Sequence, residues 1–293
     1  MPYACIDVGS NTTRLLVAEL DDRGLHELTA ERVFTRIGSS LGPDGRVPAE
    51  KIAEVAAVVA VQARTAIESG AERTVIVGTA AIRRAANRDE LIAAIEAAVG
   101  VRVNVLSEED EARLSFRGAT SALADPPAGV VAVVDLGGGS TEVAVGDVSS
   151  GVSWSQSFEI GSGLLVDRYL HSDPPSAAEL VAGRAEVARV FAGLELCDVD
   201  QGVAVGGSAT SLRRLLGGEL VPDSLERAIA LLASAPMAEV AQRFDLDPRR
   251  VQLLPAGILI FEDLCSRLGA PLRIACGGLR EGVILESATE NGA

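Results

Sequence analysis

The period of apolar positions changes repeatedly along this chain, and each change predicts an element. Residues 2–20 read as two strands around a turn at Gly9–Thr12, and 25–37 reads as a third strand. Gly38 to Gly45 is expected to form a loop. From Pro48 to about Glu68, Ile52, Val55, Val58 and Val59 fall at helical spacing. A first-turn proline opens that helix and Gly70 closes it. Residues 73–78 follow as a buried strand, then a helix carrying Arg83 and Arg84. A helix over 89–99 stops at Gly100, 101–106 returns to strand, and Ser107 opens another helix.

The pattern then breaks at Ala124-Asp-Pro-Pro-Ala-Gly129, where prolines and glycine interrupt both periods. It restarts with strands at 130–135, 141–147 and 152–160 and a helix from about Ser162. Pro174-Pro175 opens a helix over about 176–193, and 203–207 is a strand and turn. Residues 208–268 are mostly helical, 272–276 is a last strand, and a last helix runs from Gly278. Each half therefore opens strand–turn–strand–strand and continues by alternating helices with strands. That is an α/β pattern, repeated. The expected division is an N-terminal lobe over 1–124 and a C-terminal lobe over 125–293.

The turns inside the two openings carry the candidate chemistry. Ile6-Asp7-Val8-Gly9-Ser10-Asn11-Thr12-Thr13 and Val134-Asp135-Leu136-Gly137-Gly138-Gly139-Ser140-Thr141 each place an Asp at a strand end, then small residues, then hydroxyls. Glycine lets backbone N–H groups approach an anion closely, and successive N–H groups in a tight turn form an anion-binding concavity. A carboxylate repels phosphate, so Asp7 and Asp135 make sense as ligands of a divalent cation or of its waters. Either turn alone is equally well explained as a plain hairpin. Two with matched Asp positions point to paired lobes gripping one phosphorylated ligand.

Composition narrows the partners. Net charge is −15 over 293 residues, which argues against a nucleic-acid partner. Aromatic residues make up only 3%, so the core must be aliphatic. Cys5, Cys197, Cys265 and Cys276 show no metal-ligand spacing, and Cys5 and Cys276 are expected to be buried thiols. With only His26 and His171, a zinc site or a histidine-based triad has little support. No apolar run reads as a membrane span or a leader, and a cytoplasmic location without membrane contact is expected.

Taken together, Asp7-Val-Gly-Ser-Asn-Thr12, Thr79-Ala-Ala-Ile-Arg83, Glu111-Ala-Arg113, Asp135-Leu-Gly-Gly-Gly-Ser-Thr-Glu142 and Gly278-Leu-Arg-Glu-Gly282 resemble the exopolyphosphatase / guanosine pentaphosphate phosphohydrolase family. That family lies within the actin, heat-shock-70 and sugar-kinase superfamily. The resemblance implies two ribonuclease H-like (actin-like ATPase) lobes with an active site in the cleft between them. It implies release of terminal phosphate from inorganic polyphosphate, or of the 5′ γ-phosphate of guanosine pentaphosphate, with Mg²⁺ or Mn²⁺. It implies a homodimer. By the same resemblance Glu111 matches the catalytic glutamate, and Asp135 and Glu142 match acids near the metal, to which Asp7 is added by its place beside the first turn. Gly9, Ser10, Asn11 and Thr12 match the first phosphate loop and Gly137, Gly138, Gly139, Ser140 and Thr141 the second. Arg83 matches an arginine beside the first loop. Gly207 stands where superfamily relatives hold a nucleotide. The chain departs from the family pattern at Ser107-Glu108, where the family has Ser-Gly, and at Asp110 in place of a Glu. The long members' C-terminal helical domain is not expected here.

On this reading the loops supply donors, Arg83 and Arg14 add charged forks, and Glu111 positions the attacking water and takes its proton. Purely structural readings stand beside it. Ser107-x-x-Asp110 is a capping box whose acids suit a helix start, and at most one or two of residues 108–111 can face a site when successive residues turn by about 100°. Arg84 reads as a solvated helix residue, Ser208 as a helix cap, Arg280 and Glu281 as a brace, and Trp154 as packing. An actin-like kinase and a non-enzymatic nucleotide sensor remain as other function classes.

Overall fold

The computed structural model describes all residues except 23, 126, 197, 198, 292 and 293, and the side chains of 290 and 291. Cys197, and Pro126 of the expected boundary, thus lie outside the described residues. The chain divides into two compact units, Met1–Ala122 with Gly277–Ala293, and Leu123–Cys276.

The first unit opens with β1 (Pro2–Val8), β2 (Thr13–Asp21) and β3 (Gly24–Val33). These three pair antiparallel in sequence order. β4 (Arg73–Gly78) lies parallel to β1, and β5 (Val103–Val105) parallel to β4. The sheet order is β3-β2-β1-β4-β5. Both faces of its centre are covered, which explains the near-continuous apolar runs. Ala4, Ile6, Val8, Leu15 and Val17 turn to one face and pack with Val55 and Val59 of α2 (Ala49–Glu68) and Leu91 and Ile95 of α4 (Arg88–Val99). Tyr3, Cys5, Leu16 and Ala18 turn to the other, against Leu114 of α5 (Glu108–Ser121). Third-strand pairing ends at Val33, and Ile37–Ser40, expected as strand end and loop, form the short helix α1. A five-residue helix α3 (Ala80–Arg84) follows β4.

The second unit repeats the opening with β6 (Val131–Leu136), β7 (Thr141–Asp147) and β8 (Gly151–Phe158), antiparallel. α6 (Ser162–Tyr169) and α7 (Ala177–Val190) lead to β9 (Gln201–Gly206), which lies parallel to β6. Then come α8 (Gly207–Leu216), β10 (Glu219–Leu220), α9 (Pro222–Ser234), α10 (Met237–Phe244), α11 (Pro248–Val251), α12 (Leu254–Leu268) and β11 (Leu272–Ile274). The sheet order is β10-β11-β9-β6-β7-β8. The two-residue β10 falls within the stretch expected to be helical. Trp154, expected as packing, is 39% exposed on the edge strand β8. Both units share three antiparallel strands followed by two parallel ones. The fold is α/β, and each unit's three antiparallel strands with two parallel ones beyond them make a ribonuclease H-like sheet.

The C-terminal boundary differs from the expected one. The last helix, α13 (Leu279–Asn291), groups with the first unit. Leu279, Val283 and Ile284 complete the apolar layer of Tyr3, Cys5, Leu16 and Leu114. Glycines permit the approach. A Cβ at Gly118 would lie 1.9 Å from the Gly278 carbonyl oxygen, and one at Gly282 would lie 2.0 Å from that of Leu114. The glycines of the Gly278–Gly282 motif therefore seat α13 against α5.

Candidate active site

In each unit the first hairpin builds a turn closed by its own glycine. Gly9 N donates to Thr12 O at 3.1 Å, and Gly137 N donates to Ser140 O at 3.0 Å. A segment after the third strand then laces each turn from outside. Gly38 N donates to Ser10 O at 2.8 Å and Arg36 N to Asn11 O at 3.0 Å. In the second unit Ser162 N donates to Gly137 O and Leu164 N to Gly138 O, both at 3.0 Å. Gly161 is needed there, because a Cβ would lie 2.6 Å from Gly138 C and Gly139 N. Carbonyls of both turns are thus engaged. Among the described residues, the N–H groups of Ser10, Asn11 and Gly138 have no acceptor within the protein. Those are the donors an anion-binding turn requires. Thr141 differs from its expected role: it is fully buried, and its hydroxyl donates to Ile160 O at 2.6 Å.

The acids sit at equivalent places with opposite partners. Asp7 faces Arg14 across β1 and β2, whereas Asp135 faces Glu142 across β6 and β7. Arg14 donates through Nη2 at 2.8 Å and Nε at 3.3 Å, both to Asp7 Oδ2. Asp7 is buried, and its Oδ1 has no hydrogen-bond partner. It lies 3.7 Å from where a Cβ of Gly9 would stand. In the second unit Glu142 is buried and accepts from the Ser157 hydroxyl at 2.9 Å. Asp135 Oδ1 lies over Gly206, 3.2 Å from a hypothetical Cβ there, at a backbone φ of +95° that suits glycine. Like charges directly opposite one another destabilise a sheet, so this pair fits a cation between the carboxylates. The orphaned Asp7 Oδ1 fits a cation or its water. Among the described residues no group of three or more metal-ligating side chains occurs. A hard cation here would rest on one or two carboxylates, waters and substrate oxygens, the usual habit of Mg²⁺.

Glu111 is in the first turn of α5. Ser107 caps that helix, its Oγ accepting from Asp110 N at 3.0 Å. The expected reciprocal box is not made: Asp110 Oδ2 accepts the Ser107 hydroxyl at 2.9 Å rather than a backbone N–H. Glu111 is the buried residue of the acidic run 108–111. Arg83, on α3, donates to Glu111 Oε2 at 2.5 Å and to Leu106 O at 3.0 Å. Arg84 donates to Ala80 O of its own helix. Both arginines expected as phosphate donors, Arg14 and Arg83, are therefore engaged with the carboxylates beside them.

Arg280 donates to Leu15 O at 3.0 Å, and Glu281 Oε2 accepts from Gly278 N at 2.8 Å, so this motif braces α13 within the first unit. Burial first, and then the nearby Arg14 guanidinium, push the Arg280 pKa below its ordinary value. Burial, then the Asp7 charge, push the Cys5 thiol up. Cys276 corrects expectation. Pairing of β11 ends at Ile274, and Cys276 is exposed, with Arg213 Nη1 2.7 Å from its Sγ. Gly207 begins α8, and a Cβ there would lie 2.0 Å from Nη1 of the buried Arg250. Ser208 is no cap: its Oγ is buried without a hydrogen-bond partner. Sequence reasoning missed Gly161 and Gly206. Gly161-Ser-Gly163 after an apolar run was a visible signal for the first.

Comparison with known proteins bears on this arrangement. The chain is 33% identical over 292 residues to "Exopolyphosphatase 2" of Mycobacterium tuberculosis, covering 90% of each. It is 28% identical over 311 residues to "Exopolyphosphatase 1" of Mycobacterium leprae, covering 97% of this chain and 89% of that one. A crystal structure of the Aquifex aeolicus member of the Ppx/GppA protein family matches with a TM-score of 0.84 and 29% identity, over 100% of this chain and 99% of that chain. The Ppx/GppA phosphatase family model matches residues 16–291. With two laced glycine turns, buried acids beside each and a buried glutamate held by an arginine, the chain belongs to the Ppx/GppA phosphatase family.

Proposed function

We propose that this protein is an exopolyphosphatase, hydrolysing the terminal phosphoanhydride of inorganic polyphosphate to release orthophosphate. The observation that carries the reading is the buried Glu111, fixed by Arg83 at 2.5 Å, in a chain whose similar relatives bear that name. Phosphoryl transfer asks mainly for positioning and charge stabilisation. The turns at Ser10–Asn11 and Gly138 offer N–H donors to equatorial oxygens. Arg83 has five N–H donors, so it can hold Glu111 and still present donors to a phosphate. Glu111 aligns the water and accepts its proton. Asp135 and Glu142 would hold Mg²⁺ or Mn²⁺, which would neutralise charge developing on the transferred group.

The fuller reading includes a homodimer, supported by the family resemblance alone, and a cytoplasmic location, supported by the lack of a long uncharged apolar run in the sequence. No helix among the described residues is long and apolar enough to cross a membrane. Guanosine pentaphosphate presents the same terminal anhydride, and the family's description names Ppx together with GppA.

The test is phosphate release with Mg²⁺ from short polyphosphate, long polyphosphate, guanosine pentaphosphate and ATP, side by side. Polyphosphate is expected to be cleaved fastest. Glu111→Gln is expected to fold normally and lose on the order of 10²-fold or more of the rate. Near-native turnover in that variant would remove the base assignment, and preference for the pentaphosphate would move the substrate.

A further inference from the structure

Arg36 is one of two non-glycine residues with positive φ among the described residues, at φ 49° and ψ 43°. That left-handed conformation is uncommon outside glycine, because the side chain crowds the neighbouring backbone. Strain of this kind persists only where the surroundings over-determine it. Here they do. The neighbours Thr35 and Ile37 are fully buried, and Thr35 Oγ1 lies 3.0 Å from Thr13 Oγ1. The Arg36 N–H is fixed on Asn11 O and the Gly38 N–H on Ser10 O. The strained backbone is thus tied to the first glycine turn at two points.

The side chain so held is exposed, and among the described residues it has no ion pair or hydrogen-bond partner. This sets it apart from Arg14, Arg83 and Arg280, which are engaged with Asp7, Glu111 and Leu15 O. A protein of net charge −15 has acids in plenty to pair it with. An uncommitted guanidinium on a residue whose backbone is bonded to a turn with N–H groups that also lack acceptors is suited to an anion that both can bind. We propose that Arg36 is a further phosphate-binding residue of the first turn, taking an oxygen of the polyphosphate bound there. The proposal rests on the polyphosphate reading above.

Replacing Arg36 by glycine separates binding from structure, because glycine adopts the observed backbone without strain. In a Glu111→Gln background, which suppresses turnover, inorganic tripolyphosphate binding is measured by calorimetry with Mg²⁺, alongside thermal melting. Arg36→Gly is expected to melt at or above the parent temperature and yet bind tripolyphosphate about tenfold more weakly or worse, the scale of a lost charge-assisted hydrogen bond. Arg36→Lys, which keeps a charge without the planar fork, is expected to fall between. Parent-level affinity in Arg36→Gly, or a variant that loses stability and affinity together, would overturn the proposal alone. A Glu111→Gln parent that binds no tripolyphosphate would overturn the polyphosphate reading and this role with it.

Discussion

At the scale of single residues, the structure assigns charges by their nearest partners. The first unit neutralises Asp7 with Arg14 on the neighbouring strand, while the second sets Asp135 against Glu142 at the same place. That difference makes the second unit's turn the stronger candidate for the cation. Away from the site, Glu179 shows how far local hydrogen bonds can move a carboxyl. Ser176 N–H and the Ser176 hydroxyl, helped by the N–H groups of His171 and Ser172, hold its pKa down to about 2 from an ordinary 4.5. A depressed carboxyl contributes stability that is present above its unfolded value and is lost as pH falls toward the folded one. Glu179→Gln should therefore melt below the native protein at pH 7. The gap should narrow from about pH 5 down to about pH 2, where the folded protein also protonates Glu179 and both proteins carry an uncharged group. A melting series over pH checks this, and a gap that stays constant would refute the linkage.

At the scale of elements, the close contact of α5 with α13 decides where Glu111 and Arg280 are held. The apolar layer they share is ordinary in kind, with Leu114, Leu279 and Val283 buried against Tyr3, Cys5 and Leu16. What is unusual is that backbones meet, through Gly118, Gly278 and Gly282. Overpacking a core costs roughly 1–3 kcal/mol when side chains can yield. Here the obstacle is a carbonyl oxygen 2.0 Å from the added carbon, which has no rotamer to escape into. Gly282→Ala is expected to cost about 3 kcal/mol or more, at the upper end of that range. Gly193→Ala, where nothing lies within 4 Å, serves as the control and should stay within about 0.5 kcal/mol of native. Denaturant unfolding of both variants distinguishes a backbone clash from a general intolerance of substitution.

At the scale of the whole molecule, charge sets how substrate arrives. A chain of net charge −15 repels a polyanion at long range, even where local donors bind it. Added salt screens that repulsion, with a Debye length of about 8 Å at physiological ionic strength. kcat/KM for tripolyphosphate is therefore expected to rise with monovalent salt at fixed free Mg²⁺. A steep fall, as in proteins that bind nucleic acid through a basic face, would contradict this account.

Much was legible in the sequence. The periods of Ile52–Val59 and of the strand runs located most elements within a few residues, because which side of an element is apolar is written in its own neighbours. The matched Asp–Gly turns showed the repeated lobe, and the motif order pointed to the family. The tertiary structure decided the rest, since partners far apart in the chain cannot be read from local pattern. Arg83 meets Glu111 across 28 residues, and Arg280 meets Leu15 across 265. Such distances moved α13 into the first unit, committed Arg14 and Arg83 to carboxylates and left Cys276 outside the sheet. The strained backbone at Arg36 belongs with these, because only burial of its neighbours and the turn it binds could impose a conformation its own residue type disfavours.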